Sequence, residues 1–154
     1  MEIKIASSLD KCKAADVLVI PFWQTKKTAE PAANAKGLAH VFAMPVDSGD
    51  FKGKEGETLL LYGTQKGEKR ILLVGLGEEE KCKGETFRKA FGAAVKLCRH
   101  KKVEKLNVML PHWQGVLAPA LEGMLLANYS YAIHKKEEHP PVKELCFVGK
   151  GEIA

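Results

Sequence analysis

Three short apolar runs organise the second half of the chain: Lys69-Arg70-Ile71-Leu72-Leu73-Val74-Gly75, Lys105-Leu106-Asn107-Val108-Met109-Leu110-Pro111 and Lys143-Glu144-Leu145-Cys146-Phe147-Val148-Gly149. Each opens on a charge and closes on Gly or Pro, and successive runs start 36 and 38 residues apart. Runs of this length between turn residues read as buried strands, and the intervals are long enough for a helix with its loops. That is the βαβ pattern of a parallel sheet. Its crossovers are expected to be right-handed. A solenoid is excluded, because the intervening helices share only amphipathicity and the units are too few.

The first intervening helix is predicted over residues 85–100, with Phe87, Phe91, Ala94/Val95 and Cys98 on one stripe and Arg88, Lys89, Lys96 and Arg99 off it. Glu78, Glu79, Glu80 and Glu85 precede it, and Arg99, His100, Lys101 and Lys102 end it, which suits the macrodipole. The second is predicted from Ala118, with Pro119 at its first position and Leu121, Leu125, Tyr129 and Ala132/Ile133 facing inward. Pro140-Pro141 stops it. Away from these stripes both helices offer mostly Lys, Arg and Glu, so no large exposed apolar patch is expected, and any strip left exposed for a neighbouring domain is expected near the segment 142–154. Further strands are predicted over 2–6, 17–23 and 58–62, with a loop-rich stretch over 25–56 that holds a short helix at 35–42. No linker divides residues 1–154, so the expectation is one α/β domain with a mixed, mostly parallel sheet flanked by helices.

A chain of 154 residues buries roughly 68 to 70% of its unfolded surface, enough for a core without disulfides or a structural metal. The longest apolar runs fall far short of the ~20 residues that span a bilayer. The N-terminus has no apolar core followed by a cleavage site, so a cytoplasmic location is expected. Cys12, Cys82, Cys98 and Cys146 form no C-x-x-C pair and read as reduced thiols, Cys98 and Cys146 in the core. The net charge of +5 favours anionic partners only where cations gather on one face.

The sequence offers little catalytic chemistry. Gly75-Leu76-Gly77 stands where a dinucleotide fold would cradle pyrophosphate, yet Glu78, Glu79 and Glu80 follow it and no third glycine does. A tight turn for close strand–helix packing is the expected role. His40, His100, His112, His134 and His139 make no metal-binding pair, and no serine or cysteine lies in a nucleophile motif. Aspartate occurs only at 10, 16, 47 and 50, which leaves most of the fold without ligands for a carboxylate-built two-metal centre. Trp23 and Trp113 read as core or half-buried residues, outside any ladder that would stack bases.

Four segments in order carry a family resemblance: Gly49-Asp50-Phe51-Lys52-Gly53-Lys54-Glu55-Gly56-Glu57; Arg70-Ile71-Leu72-Leu73-Val74-Gly75-Leu76-Gly77; Phe87-Arg88-Lys89-Ala90-Phe91-Gly92; and Glu122-Gly123-Met124-Leu125-Leu126-Ala127-Asn128-Tyr129 with Lys135-Lys136 after it. Together they resemble the N-terminal domain of the leucyl aminopeptidases, the M17 cytosol aminopeptidases. The resemblance implies a macro-domain-like three-layer fold that precedes a catalytic domain absent from this chain. There, two divalent metals, zinc, manganese or magnesium, activate water against an N-terminal peptide bond. The family's N-T-D-A-E-G-R-type segment has no counterpart here, so no catalytic, cofactor-binding or metal residue carries over and the domain alone is expected to be inactive. The implied partners are the catalytic domain and a homohexamer held mainly by catalytic domains, with this piece alone monomeric or at most weakly dimeric. Some bacterial members also bind DNA. Two other functions compete: a free-standing macro-like domain that binds ADP-ribose, and a nucleic-acid module using Arg88, Lys89, Lys96, Arg99, Lys101, Lys102 and Lys105 as a surface for an anionic partner.

Overall fold

The computed structural model describes residues 1–35, 37–63, 69–134 and 140–150, with side chains of 130–134 excepted. Seven strands form one sheet: β1 (Glu2–Ala6), β2 (Val17–Gln24), β3 (Ala29–Pro31), β4 (Thr58–Tyr62), β5 (Arg70–Gly75), β6 (Lys105–Met109) and β7 (Glu144–Val148). Three helices accompany them: α1 (Ala39–Asp47), α2 (Gly84–His100) and α3 (Leu117–His134). The spatial order is β1-β7-β6-β2-β5-β4, with β3 paired to β2. The expected architecture is therefore present: β1, β7, β6, β2 and β5 run parallel, while β4 and β3 pair antiparallel.

Alternation along the central strands divides the core into two layers. Val17, Val19, Leu72, Val74, Leu106, Val108, Leu145 and Phe147 face α2 and α3. Leu18, Ile20, Phe22, Ile71 and Leu73 meet Phe42 and Val46 of α1 on the other face. Phe22 packs edge-on to Phe42 and Phe51 at centroid distances of 5.1 and 5.3 Å. Continuous apolar runs rather than alternating ones follow from this burial on both faces.

Pro21 breaks the usual rule against proline in a central strand. β6 pairs with β2 only at Val17–Val19, and β3 takes over from Phe22. Pro21 sits in the gap between these partners, and its carbonyl accepts from the Ala32 N–H at 2.8 Å. Pro21 thus ends the pairing with the β3 segment opposite Ala32, where its carbonyl is used and only the reciprocal donor is missing.

Two expectations about helices need correction. The short helix lies at Ala39–Asp47 rather than 35–42: Gly37 has φ +85°, which breaks the chain before it, and the helix runs on through Pro45 to bury Phe42 and Val46. α3 does not face inward with Leu125 and Tyr129, which are 39% and 67% exposed. Its buried face is Ala120, Gly123, Met124 and Ala127, with Leu121 half-buried. The reason is the close approach of α2: a Cβ on Gly123 would overlap the Arg88 carbonyl oxygen, and one on Gly92 would lie 3.1 Å from the Gly123 oxygen. The backbones meet at Gly123, so the face that carries it, with Ala120, Met124 and Ala127, turns inward and Leu125 and Tyr129 turn outward. An apolar strip of Leu125, Leu126 and Tyr129 results, contrary to the expected charged surface. Ala132 and Ile133 fall outside the described side chains. Pro119 takes the third rather than the first helical position, still within the turn whose N–H groups lack partners.

Candidate functional site

The chain order reverses between β2 and β6. β2 leads through α1 to β5 on one side, and β6 leads through α3 to β7 on the other. In open α/β sheets the crevice at the carboxyl ends beside such a reversal is where ligands bind. A cleft of about 550 Å³ lies there, lined by Ser7 and Asp10 after β1, Asn34 after β3, Pro111 after β6 and Lys150 after β7. β3 makes one wall because β6 ends early. The floor is tight: a Cβ on Gly149 would lie 2.9 Å from the Trp113 ring, and the Trp113 N–H donates to the Lys150 carbonyl at 3.0 Å.

The Gly75-Leu76-Gly77 turn stands at the same end of the sheet, but its amides are already engaged. Gly75 N–H donates to the Glu57 carbonyl at 2.7 Å, Leu76 to Phe22 at 2.9 Å and Gly77 to Gly53 at 2.8 Å. The role expected of the glycines, close packing, is present with a different partner. Residues 53–57, not a helix, fill the space: a Cβ on Gly75 would overlap the Lys54 carbonyl oxygen, and Gly77 adopts φ +80° with Glu55 against it. Glu57 braces that loop by accepting from the Lys52 and Lys54 N–H groups at 3.0 and 3.1 Å.

Of the basic residues singled out from sequence, one is not on the surface at all and two are engaged in ion pairs. Lys89 and Lys96 are exposed on α2. Arg88 pairs with Glu85 and, at 2.8 Å, with Glu122 of α3; hydrogen bonds to Glu122 and then Glu85 raise its pKa. Arg99 is corrected from surface to interior. It is 2% exposed and donates to the Ala127 and Asn128 carbonyls at 3.1 and 2.7 Å, tying α2 to α3. Lys101 and Lys102 sit in the turn after α2, and Lys105 pairs with Glu144 at 3.7 Å. A different grouping, Lys4, Lys11, Lys13 and Lys105 with Glu144, surrounds a cavity of about 390 Å³ on the face of the sheet that α1 occupies further along. No sequence signal marks it, since its lysines come from β1, β6 and the segment between β1 and β2.

Cys98 is fully buried, and desolvation pushes its thiol to about 12 against a smaller lowering by Arg70. Burial likewise raises Cys82, opposed by a hydrogen bond with Thr86. Both are poor nucleophiles at neutral pH. Cys146, expected in the core, is half-buried because the sheet is open on its side. His40, His100 and His112 are exposed. His139 lies outside the described residues, as does the side chain of His134. Among the described residues no three His, Cys, Asp or Glu side chains gather as metal ligands. Nor is any helix long and apolar enough to cross a membrane.

The model of the cytosol aminopeptidase family N-terminal domain matches residues 19–138. This chain belongs to that family. Its matched span runs from within β2 to beyond α3 and leaves out β1 and β7. A probable cytosol aminopeptidase of Protochlamydia amoebophila is 42% identical over 140 residues, covering 85% of this chain and 27% of that protein. One from Chlamydia trachomatis serovar A is 33% identical over 154 residues, covering 93% and 30%. The chain thus spans less than a third of the length of these relatives. Among solved structures, a tomato leucine aminopeptidase mutant superimposes with TM-score 0.71 at 16% identity, over 98% of this chain and 33% of that one. The macrodomain of Mycobacterium tuberculosis DarG gives 0.60 at 13% identity, over 96% and 98%. At such identities these two structures establish the fold, which is macro-like.

Proposed function

We propose that this chain is the non-catalytic N-terminal domain of a cytoplasmic metallo-aminopeptidase, and that peptide hydrolysis by two divalent metals belongs to the rest of the protein. The observation that carries the reading is the family match over residues 19–138 together with relatives more than three times as long. Hydrolysis on this reading belongs to the rest of the protein; among the described residues no three His, Cys, Asp or Glu side chains gather as metal ligands. Its role is structural, in assembly or regulation. The exposed Leu125, Leu126 and Tyr129 of α3 supply an apolar surface for docking against the remainder of the enzyme. In the parent, a homohexamer, the catalytic domains carry the assembly.

The chain purified alone and supplied with Mn²⁺ or Zn²⁺ is expected to release no p-nitroaniline from leucyl-p-nitroanilide. Turnover that stays with the chain through repurification and tracks its concentration would overturn the reading.

A second reading, a macro-like ADP-ribose binder, draws on the 550 Å³ cleft at the strand carboxyl ends. It ranks below the first because the Gly75, Leu76 and Gly77 amides, the natural donors to a diphosphate, already serve internal carbonyls.

A further inference from the structure

Among the described residues β1 is an edge strand, paired on one side only, with β7. The Glu2 N–H donates to the Lys143 carbonyl at 2.8 Å, and the Ala6 carbonyl accepts from Gly149 at 3.3 Å. Backbone groups alternate sides along a strand, so Ile3 and Ile5 point their N–H and C=O away from the sheet. Their side chains lie on the α3 side, in register with Leu145 and Phe147, and remain 39% and 45% exposed. Glu2 and Lys4 occupy the opposite face, 3.5 Å apart and half-exposed. An edge with free backbone groups and β-branched side chains is a template for another strand.

We propose that the occupant is β1 of a second copy, paired antiparallel about Ile3 so that the two sheets become continuous. Charge selects both partner and register. Pairings that let the outward groups of Ile3 and Ile5 bond must oppose odd residues to odd residues. Centred on Glu2, such a pairing places two glutamates opposite each other; centred on Lys4, it opposes two lysines. Centred on Ile3, it opposes Glu2 of each copy to Lys4 of the other and joins the two Ile3 residues as a doubly hydrogen-bonded pair. A slip by one residue sets isoleucine against a charge and turns half of the donors the wrong way. The strand is complementary to itself in one register. Because the contact is five residues long and far smaller than a standard interface, the dimer is weak, with Kd on the order of 100 μM. The inference holds whatever reaction the remainder of the protein performs.

Sedimentation of the 154-residue chain between ~10 μM and ~1 mM tests it. The wild-type chain is expected to shift from monomer toward dimer, while E2K and K4E each weaken association about tenfold or more, since each opposes like charges twice. The double change E2K/K4E restores it. An equimolar mixture of the E2K and K4E chains associates better than either alone, because one presents two cations and the other two anions. Both positions changed are exposed surface sites, and circular dichroism of each variant confirms an unchanged fold. A chain that stays monomeric throughout overturns the proposal. So does a dimer indifferent to both single changes, which would place the contact elsewhere, foremost on the apolar strip of α3.

Discussion

Gly75 shows how one absent side chain can hold a loop in place. It ends β5 with both backbone groups bonded to the neighbouring loop, donating to Glu57 and accepting from Gly56, and the Lys54 carbonyl occupies the space of a Cβ. A methyl group there meets backbone rather than a movable side-chain tip. Gly75→Ala is therefore expected to destabilise the fold by about 2–4 kcal/mol, within the range of overpacked buried sites. Gly56→Ala provides the contrast: its Cβ meets nothing within 4 Å, and the cost is the strain of φ +85° alone, about 1 kcal/mol. Urea midpoints of the two variants check the order; equal losses would mean that the loop yields freely.

At the scale of elements, the α2–α3 crossing decides which face of α3 is buried. Gly123 brings the backbones together, the Arg99 guanidinium bonds across to α3, and the Arg88–Glu122 pair lies on the exposed rim. The rim pair contributes little, as exposed pairs do. Alanine favours a helix over glycine by about 1 kcal/mol, so a gain is the naive expectation for either glycine. At Gly123 the overlap with the Arg88 carbonyl outweighs it, and Gly123→Ala should lower stability by about 2 kcal/mol. At Gly92, where the contact is 3.1 Å, strain and propensity nearly offset, and Gly92→Ala should fall within about 0.5 kcal/mol of wild type. Denaturant titration of the pair distinguishes a backbone contact from an ordinary glycine liability, which would make both variants more stable.

For the molecule as a whole, the question is whether a macro-like fold retains the ligand chemistry that its cleft suggests. The walls are present, and the reversal between β2 and β6 puts the cleft where such sheets bind ligands. The glycine turn at the same end of the sheet has spent its amides on residues 53–57 and on β2. Calorimetry with ADP-ribose is accordingly expected to show no binding tighter than ~1 mM. Micromolar affinity would promote the second reading over the first. The loop that closes the glycine turn also anchors the chain between α1 and β4.

The sequence by itself determined the strands except β3, which falls in the stretch expected to be loop, together with the parallel order of the sheet's second half and the family. Runs such as Ile71–Val74 are apolar without interruption, and both faces of a central strand are buried wherever helices cover it, so pattern and environment coincide. Periodicity also placed α2 within one residue, where Thr86 accepts from the Lys83 N–H at 3.1 Å. It failed on α3, because Leu121, Leu125 and Tyr129 make as good a stripe as Ala120, Met124 and Ala127. Hydrophobicity does not choose between the two stripes, whereas the close approach of the α2 backbone at Gly123 selects the face that carries the glycine. Arg99 failed for a related reason: a charge at a helix end reads as solvated until a second helix presents carbonyls to it. The occupant of the Gly75 turn, the lysines gathered from separate segments and the self-complementary edge of β1 are all relations between distant stretches of chain, and local pattern carries no information about them. Only the tertiary structure, which sets what each backbone group faces, could decide those.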